Sequence, residues 1–208
     1  MRYLTSIRRC ALAAAACVLP ALACAQAFPD KPIKLVVPFA AGGGTDSIAR
    51  DMARTLSERL GQPVVVENHG GGGGSIGANL VAHAAPDGYT LLFATSTFVT
   101  NAAAQARSTY DVEKSFAPVA LIGRGPLLVV TNRDLGVKSM AELRTLIAQR
   151  PDEINFCSAG TGSINHLSGE LFKQKAGVQM THVPYKGSGP ATVDLLAGRV
   201  QLFFATVP

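Results

Sequence analysis

The sequence predicts an α/β protein built on parallel sheet and arranged as two lobes with a cleft between them. Three observations carry this reading. From Lys31 onward, short β-branched runs alternate with segments whose apolar residues recur every three or four positions, the pattern of successive strand–helix units. Two of the runs end in glycine-rich loops that lead straight into a helix, "PFAAGGGT" and "CSAGTGS". Between those two loops the alternation breaks at 123–126, where the chain is expected to pass from a first α/β lobe (28–124) to a second (125–208).

Each element follows from its local pattern. "IKLVVPF" (33–39) is short, apolar and β-branched, which suits a strand buried on both faces. In 45–60, Ile48, Met52, Leu56 and Leu60 form one stripe with Ala49 and Ala53 beside it, while Arg50, Arg54, Glu58 and Arg59 fall off it. Gly61 is placed to stop that helix. "PVVVEN" (63–68) reads as the second strand, "SIGANLVAHAA" (75–85) as a helix ended by Pro86, and "YTLLFATS" (89–96) as the third strand. The polar stretch 97–116 reads as a long irregular loop, a type often tied to function. "APVALIG" (117–123) and "PLLVVTN" (126–132) read as two further strands. Ser139 and Glu142 are spaced as a capping box that opens a helix running to Arg150. Strands at 153–160, 180–185 and 200–207 then alternate with helices at 163–175 and 190–196.

The N-terminus has Arg2, Arg8 and Arg9, then a charge-free stretch from Cys10 to Cys24, then "ALACAQA". Basic start, short apolar middle and small residues before the cut describe a secretory signal peptide over 1–25, cleaved after Ala25 or Ala27. The apolar stretch is short for a membrane span. A twin-arginine reading of Arg8-Arg9 and a lipoprotein reading of Cys24 rank below plain secretion. Removing the segment takes three of the 19 basic residues and none of the 14 acidic ones, leaving a net charge of +2 rather than +5. Neither that balance nor any basic–aromatic interleaving suggests nucleic acid. Three of four cysteines leave with the signal, so Cys157 has no partner for an internal disulfide and no CxxC metal knuckle exists.

The two glycine loops raise the question of ligand. In open α/β sheets, ligands sit beyond the carboxyl ends of strands, where loops enter helices. Gly42, Gly43 and Gly44 bring backbone amides close to such a position, and the helix that follows contributes its unpaired N–H groups and partial positive charge. That makes an anion seat needing no Lys or Arg. The plain alternative is a turn into a helix capped by Thr45 or Asp46. "CSAGTGSINH" (157–166) repeats the arrangement, adding the hydroxyls of Ser158, Thr161 and Ser163, with His166 on the first turn. The third cluster, "HGGGGGSIG" (69–77), matches the spacing of a dinucleotide fingerprint through Gly72, Gly74 and Gly77, but the next strand ends without the acid that grips a ribose, and the five successive glycines 70–74 suggest a floppy loop. Neither GxSxG nor HExxH occurs. A hydrolase using Ser163 and His166, with Asp46 as a distant orienting acid, is the enzymatic rival. No cofactor or metal is implied.

With these stretches assembled, the chain resembles the solute-binding proteins of tripartite tricarboxylate transporters, the Bug family. The similar segments are "FPDKPIKLVVPFAAGGGTDSIAR", "LGQPVVVEN", "GGGGSIGANLVAHAAPDGYTLLFATS", "SFAPVALIG", "AGTGSINHLSGELFK" and "HVPYKGSGPATVDLLAGRVQLFF". The resemblance implies a two-lobed periplasmic binding protein fold of type II that closes on small carboxylates, acidic amino acids among them, and hands them to an inner-membrane permease. It implies contacts from Phe39, Ala40, Gly42, Gly43, Gly44, Thr45 and Asp46, from Thr95 and Ser96, and from Ser158, Gly160, Thr161, Gly162, Ser163 and His166. Presentation of ligand to a membrane sensor is a further alternative. The sequence departs from the family at Ala40, Ala41, His69, Gly70 and Ala205. Family members run on well past the position of Pro208 and return to the first lobe, so the resemblance implies a chain lacking that return and both lobes incomplete. An open apolar face and edge, and hence association, are expected of such a chain. A complete version is expected to be a monomer.

Overall fold

A computed structural model of the chain describes residues 28–206, so the expected signal segment and its cleavage points lie outside the described residues. The chain divides into two compact units, Met1–Lys31 and Pro32–Pro208, and every element named below belongs to the second.

Strand β1 (Ile33–Val37) is the centre of a three-stranded parallel sheet, flanked by β2 (Val64–Asn68) and β3 (Thr90–Leu92). Its central place accounts for its composition. Ile33, Leu35, Val36 and Val37 are buried, and only Lys34 reaches out, to Glu67 at 3.2 Å. Helix α1 (Gly44–Leu60) lays Ala49 and Ala53 into the core these strands share, with Ile48, Met52 and Leu56 at its sides. Leu60, expected on the same stripe, ends the helix and stays exposed. Gly61 adopts the left-handed conformation (φ 66°) and its N–H caps the Ser57 carbonyl, as its position after the stripe predicts.

A 3₁₀ turn (Gly72–Gly74) leads into α2 (Ser75–Ala82). The expectation of a loop over 97–116 is only partly met, because α3 (Thr97–Ala104) forms there. Its two buried residues, Thr97 and Asn101, are polar and four apart, so the face it buries carries no apolar stripe to be read. Beyond it, Tyr110 stacks on Phe98 at 5.1 Å and donates its hydroxyl to the Phe98 carbonyl, while Phe116 packs edge-on to both rings. The strand expected over 117–123 is absent. Val119, Leu121 and Ile122 have strand-like composition but their backbone pairs with no neighbour among the described residues, and they are exposed. Composition supplies a strand only when a partner supplies the ladder.

The remaining strands form a second sheet in the order β4-β7-β5-β6, from β4 (Leu127–Thr131), β5 (Asn155–Ser158), β6 (Thr181–Pro184) and β7 (Leu202–Thr206). β5 runs parallel to both β6 and β7, but β4 pairs antiparallel with β7, which corrects the expectation of parallel sheet throughout. Alternation along the strands divides the core. Phe156, Leu202 and Phe204 face α4 (Met140–Gln149) through Leu143 and Ile147, whereas Cys157 and Phe203 face α6 (Ser188–Leu196) through Ala191 and Leu195. Ser139 caps α4 by accepting from the Glu142 amide at 3.2 Å, and Glu142 reaches back to the Lys138 amide at 2.8 Å. Helix α5 (Ile164–Ala176) lies against β7 and is closed by Gly177.

Candidate ligand-binding cleft

The first glycine loop leaves β1 and becomes the start of α1. Gly43 occupies the position before the helix and offers no side-chain cap. Asp46, in the first turn, performs the task instead by accepting from the Gly42 amide at 3.1 Å. Its other contacts are Arg50 Nε and Nη2, each at 3.0 Å, and Asn68 Nδ2 at 2.8 Å. Burial alone would raise the Asp46 pKa, but hydrogen bonds from Arg50, Gly42 and Asn68, with the charge of Arg50, outweigh it and hold the carboxyl below its usual range. Asp46 is thus a buried anion that fixes the loop. The amides of Gly43, Gly44, Thr45 and Asp46 meet no acceptor among the described residues.

The second glycine loop leaves β5 and becomes α5. Ser163 caps α5 by accepting from the His166 amide at 3.3 Å and is fully buried. His166 Nδ1 accepts from the Gly162 amide at 3.2 Å. Ser158 is fully buried as well, accepting from the Gly160 amide at 3.0 Å and sitting 2.7 Å from His182 Nε2. The hydroxyls of Ser158 and Ser163 and the ring of His166 are thus hydrogen-bonded within the loop, and no hydrogen bond among the described residues joins the Ser163 hydroxyl to the His166 ring, the contact that a nucleophile and its base require.

Helix α3 ties the second glycine loop to the 70–74 glycine cluster. Thr97 Oγ1 accepts from the Ile164 amide at 3.2 Å, Thr100 Oγ1 donates to the Gly162 carbonyl at 3.3 Å, and Asn101 Nδ2 donates to the carbonyls of Thr161 and Gly72, both at 3.1 Å. The glycine cluster taken as floppy is instead shaped and tightly packed. A Cβ on Gly73 would run into the Thr161 carbonyl and sit 2.5 Å from Asn101 Nδ2, and one on Gly70 would sit 2.5 Å from the Lys186 carbonyl. Close backbone approach is what the glycines supply here.

Between these loops lies a cavity of about 10 Å³, lined from the α1 start by Phe39, Ala40, Gly43, Thr45 and Asp46, and from the α3 start by Thr95 and Thr97. Ala159 lines it from the loop after β5, Asn165 from α5, Ser188 from α6, and Thr206 from the end of β7. First-turn residues of four helices therefore share one small space, and neither Lys nor Arg reaches it. Each helix start carries unpaired amides and a partial positive charge of roughly half a unit. Of the residues expected at the site, Phe39, Ala40, Gly43, Thr45, Asp46 and Thr95 line the cavity, and Gly42, Gly44, Ser96, Ser158, Gly160, Thr161, Gly162, Ser163 and His166 do not.

Ala159, Thr97, Asn165, Ser188 and Thr206 line the cavity without having been among the expected site residues. Ala159 lies within the glycine loop and Asn165 between that loop and His166, so both carried a signal; the Asn165 Nδ2 is spent on the Phe204 carbonyl at 2.6 Å. A larger open depression of about 520 Å³ involves Tyr110, Asp111 and His83 but none of the expected site residues. Among the described residues, no three His, Cys, Asp or Glu side chains cluster as metal ligands do, and no helix is long and apolar enough to cross a membrane. Cys157, the one cysteine among them, is buried and its thiol is pushed up to about 12 by desolvation.

An α/β fold with glycine-rich helix starts around one cavity has the architecture of periplasmic binding proteins, and solved structures of that kind superpose on it. The malate-bound MatC of Rhodopseudomonas palustris is 35% identical with a TM-score of 0.76, the match covering 85% of this chain and 60% of that one. For R. palustris Rpa4515 with adipate the identity is 42%, the TM-score 0.82 and the coverage 86% and 60%. The chain belongs to the tripartite tricarboxylate transporter family receptors, whose family model matches residues 48–208. Protein BugT of Bordetella pertussis is 42% identical over 186 residues, 88% of this chain and 57% of BugT. The chain thus spans somewhat more than half the length of the relatives it matches.

Proposed function

We propose that this chain is a solute-binding receptor that captures a small carboxylate and passes it to a membrane permease of the tripartite tricarboxylate type. One observation carries the reading: the first turns of four helices line a single cavity that contains no basic side chain. Helix starts attract anions through N–H groups and dipoles, and relatives named for bound adipate and malate make a carboxylate the natural occupant. We assign the two sheets to lobes 28–124 and 125–208. The ligand enters when the lobes part, because about 10 Å³ admits nothing larger than a water. The role is binding without turnover, in the periplasm, after removal of the signal segment. The ligand class extends over mono-, di- and tricarboxylates and acidic amino acids.

Calorimetric titration of the 208-residue chain with adipate and with malate tests this. Saturable binding of either acid, with a rise in melting temperature that follows ligand concentration by mass action, is the expected result. No heat and no shift with any small carboxylate would overturn it.

A further inference from the structure

Two histidines lie behind the second glycine loop without touching the cavity. His182 sits on β6, stacked between His166 (ring centroids 4.0 Å apart) and Phe156 (4.9 Å). Each imidazole holds a different point of the loop. His182 Nε2 meets Ser158 Oγ at 2.7 Å, and that oxygen accepts from the Gly160 amide at 3.0 Å. His166 Nδ1 accepts directly from the Gly162 amide at 3.2 Å. The residues so fixed flank two that line the cavity, since Ala159 lies between Ser158 and Gly160, and Asn165 precedes His166.

We propose that His166 and His182 are positioning residues that clamp the 158–163 loop while both rings are neutral and release it on protonation, a role that rests on the receptor reading above for its effect on ligand.

The chemistry of the contacts sets the direction. An imidazole nitrogen that accepts an N–H cannot carry a proton, so charging His166 at Nδ1 sets donor against donor and breaks the bond to Gly162. Charging His182 places a cation within the stack, against the His166 ring. From α5, Glu170 faces His166 at 3.9 Å, but it is already paired with Lys173 at 3.1 Å. From β5 come Phe156 and Ser158, and from β7 the ring of Phe204, which packs edge-on to Phe156. The surroundings therefore offer a new positive charge one shared carboxylate. Consistent with this, burial and then the charge of His166 push His182 down to about 4, Lys173 adding to the shift and Glu170 opposing it. Burial also lowers His166, Lys173 again adding and Glu170 opposing.

Backbone hydrogen exchange of the 208-residue chain, corrected for intrinsic rates, is the test. Wild type is expected to lose protection in 158–163 by roughly tenfold between about pH 7.5 and about pH 4.5. His182→Phe, which keeps the stack and removes the nitrogen, should lack that protection already at the higher pH. His182→Gln, able to bond Ser158 but not to titrate, should restore it and flatten the pH dependence. Calorimetry with adipate and malate on the same proteins should show His182→Phe binding about tenfold more weakly at the higher pH, with His182→Gln close to wild type. Comparing proteins at one pH cancels the acids' own titration. Equal protection in all three proteins, or an unchanged pH profile in His182→Gln, would overturn the clamp. Should wild type bind neither acid, the receptor reading falls while the exchange data still decide the clamp.

Discussion

Gly73 and Gly61 form a matched pair that isolates the packing of the glycine cluster from its backbone strain. Both adopt the left-handed conformation, at φ 62° and 66°. An alanine at either carries the same intrinsic cost, about 1–2 kcal/mol. Around Gly61 a Cβ meets nothing within 4 Å, whereas at Gly73 it meets the Thr161 carbonyl and Asn101 Nδ2, with Gly160 also close by. Backbone on one side and a doubly bonded amide on the other cannot move aside cheaply, so overpacking adds about 1–3 kcal/mol. Gly61→Ala is therefore expected to cost about 1–2 kcal/mol and Gly73→Ala about 2–5 kcal/mol in urea unfolding. Gly73→Ala should also weaken adipate or malate binding, because it pushes the 70–74 cluster and α3 away from the second glycine loop, whereas Gly61→Ala should leave binding unchanged. Equal costs for the two substitutions would refute the assignment of the 70–74 cluster to close packing.

Asn101→Ala removes the donor shared by the Gly72 and Thr161 carbonyls and is expected to cost about 2 kcal/mol, with faster exchange in 158–163. Acid should lower stability first through His182: with its ordinary value of 6.5 lowered to about 4 in the fold, the contribution is complete above 6.5 and lost as pH falls from there toward 4. Its ceiling is about 3 kcal/mol, reduced by solvent at the exposed part of the ring, and His182→Gln should flatten that part of a urea-midpoint profile. Asp46 adds a later loss: its carboxyl is held below the usual 3.8, so its stabilisation is full above that value and lost on further acidification. Cys157 should resist disulfide-exchange reagents in the native chain and label only as fast as the protein opens, since its buried thiol is pushed up to about 12.

Much of the fold was legible because its elements advertise themselves. β1 is a β-branched run, α1 an amphipathic stripe with Gly61 at its end, and α4 a capping box, each signal lying within one short segment. The failures have a common cause, a partner remote in sequence. α3 buries Thr97 and Asn101 against a loop some sixty residues away, so its buried face is polar. The apolar 117–123 segment finds no strand to pair with among the described residues. Antiparallel β4 follows from β7, more than sixty residues later. The site divides likewise. Its first wall was legible from Phe39 to Asp46, because the loop that lines the cavity is itself glycine-rich. On the second wall, the polar residues conspicuous in the motif, Ser158, Ser163 and His166, are hydrogen-bonded within the loop. The cavity is reached there by Ala159, inside the glycine loop, by Asn165 just beyond it, and by Ser188 and Thr206, which sit in no recognisable motif.

A wall of helix starts without cationic side chains also bears on how such a cleft can open and close. Among the described residues four hydrogen bonds hold its walls together: the Ala40 N–H to the Lys186 carbonyl at 2.8 Å, and the contacts of Thr97, Thr100 and Asn101 on α3 with the second glycine loop at 3.1–3.3 Å. Each is worth about 0.5–1.5 kcal/mol net, so breaking all four costs a few kcal/mol. A ligand of micromolar affinity supplies about 8 kcal/mol. Binding can therefore decide between open and closed arrangements, which a permanent Lys or Arg ion pair across the cleft would make harder. Gly70 and Gly73 keep the closed arrangement attainable by letting backbone meet backbone, and Asp46, its charge offset by Arg50 and its oxygen hydrogen-bonded by Asn68, keeps the first loop's amides aimed without repelling an anion at full strength.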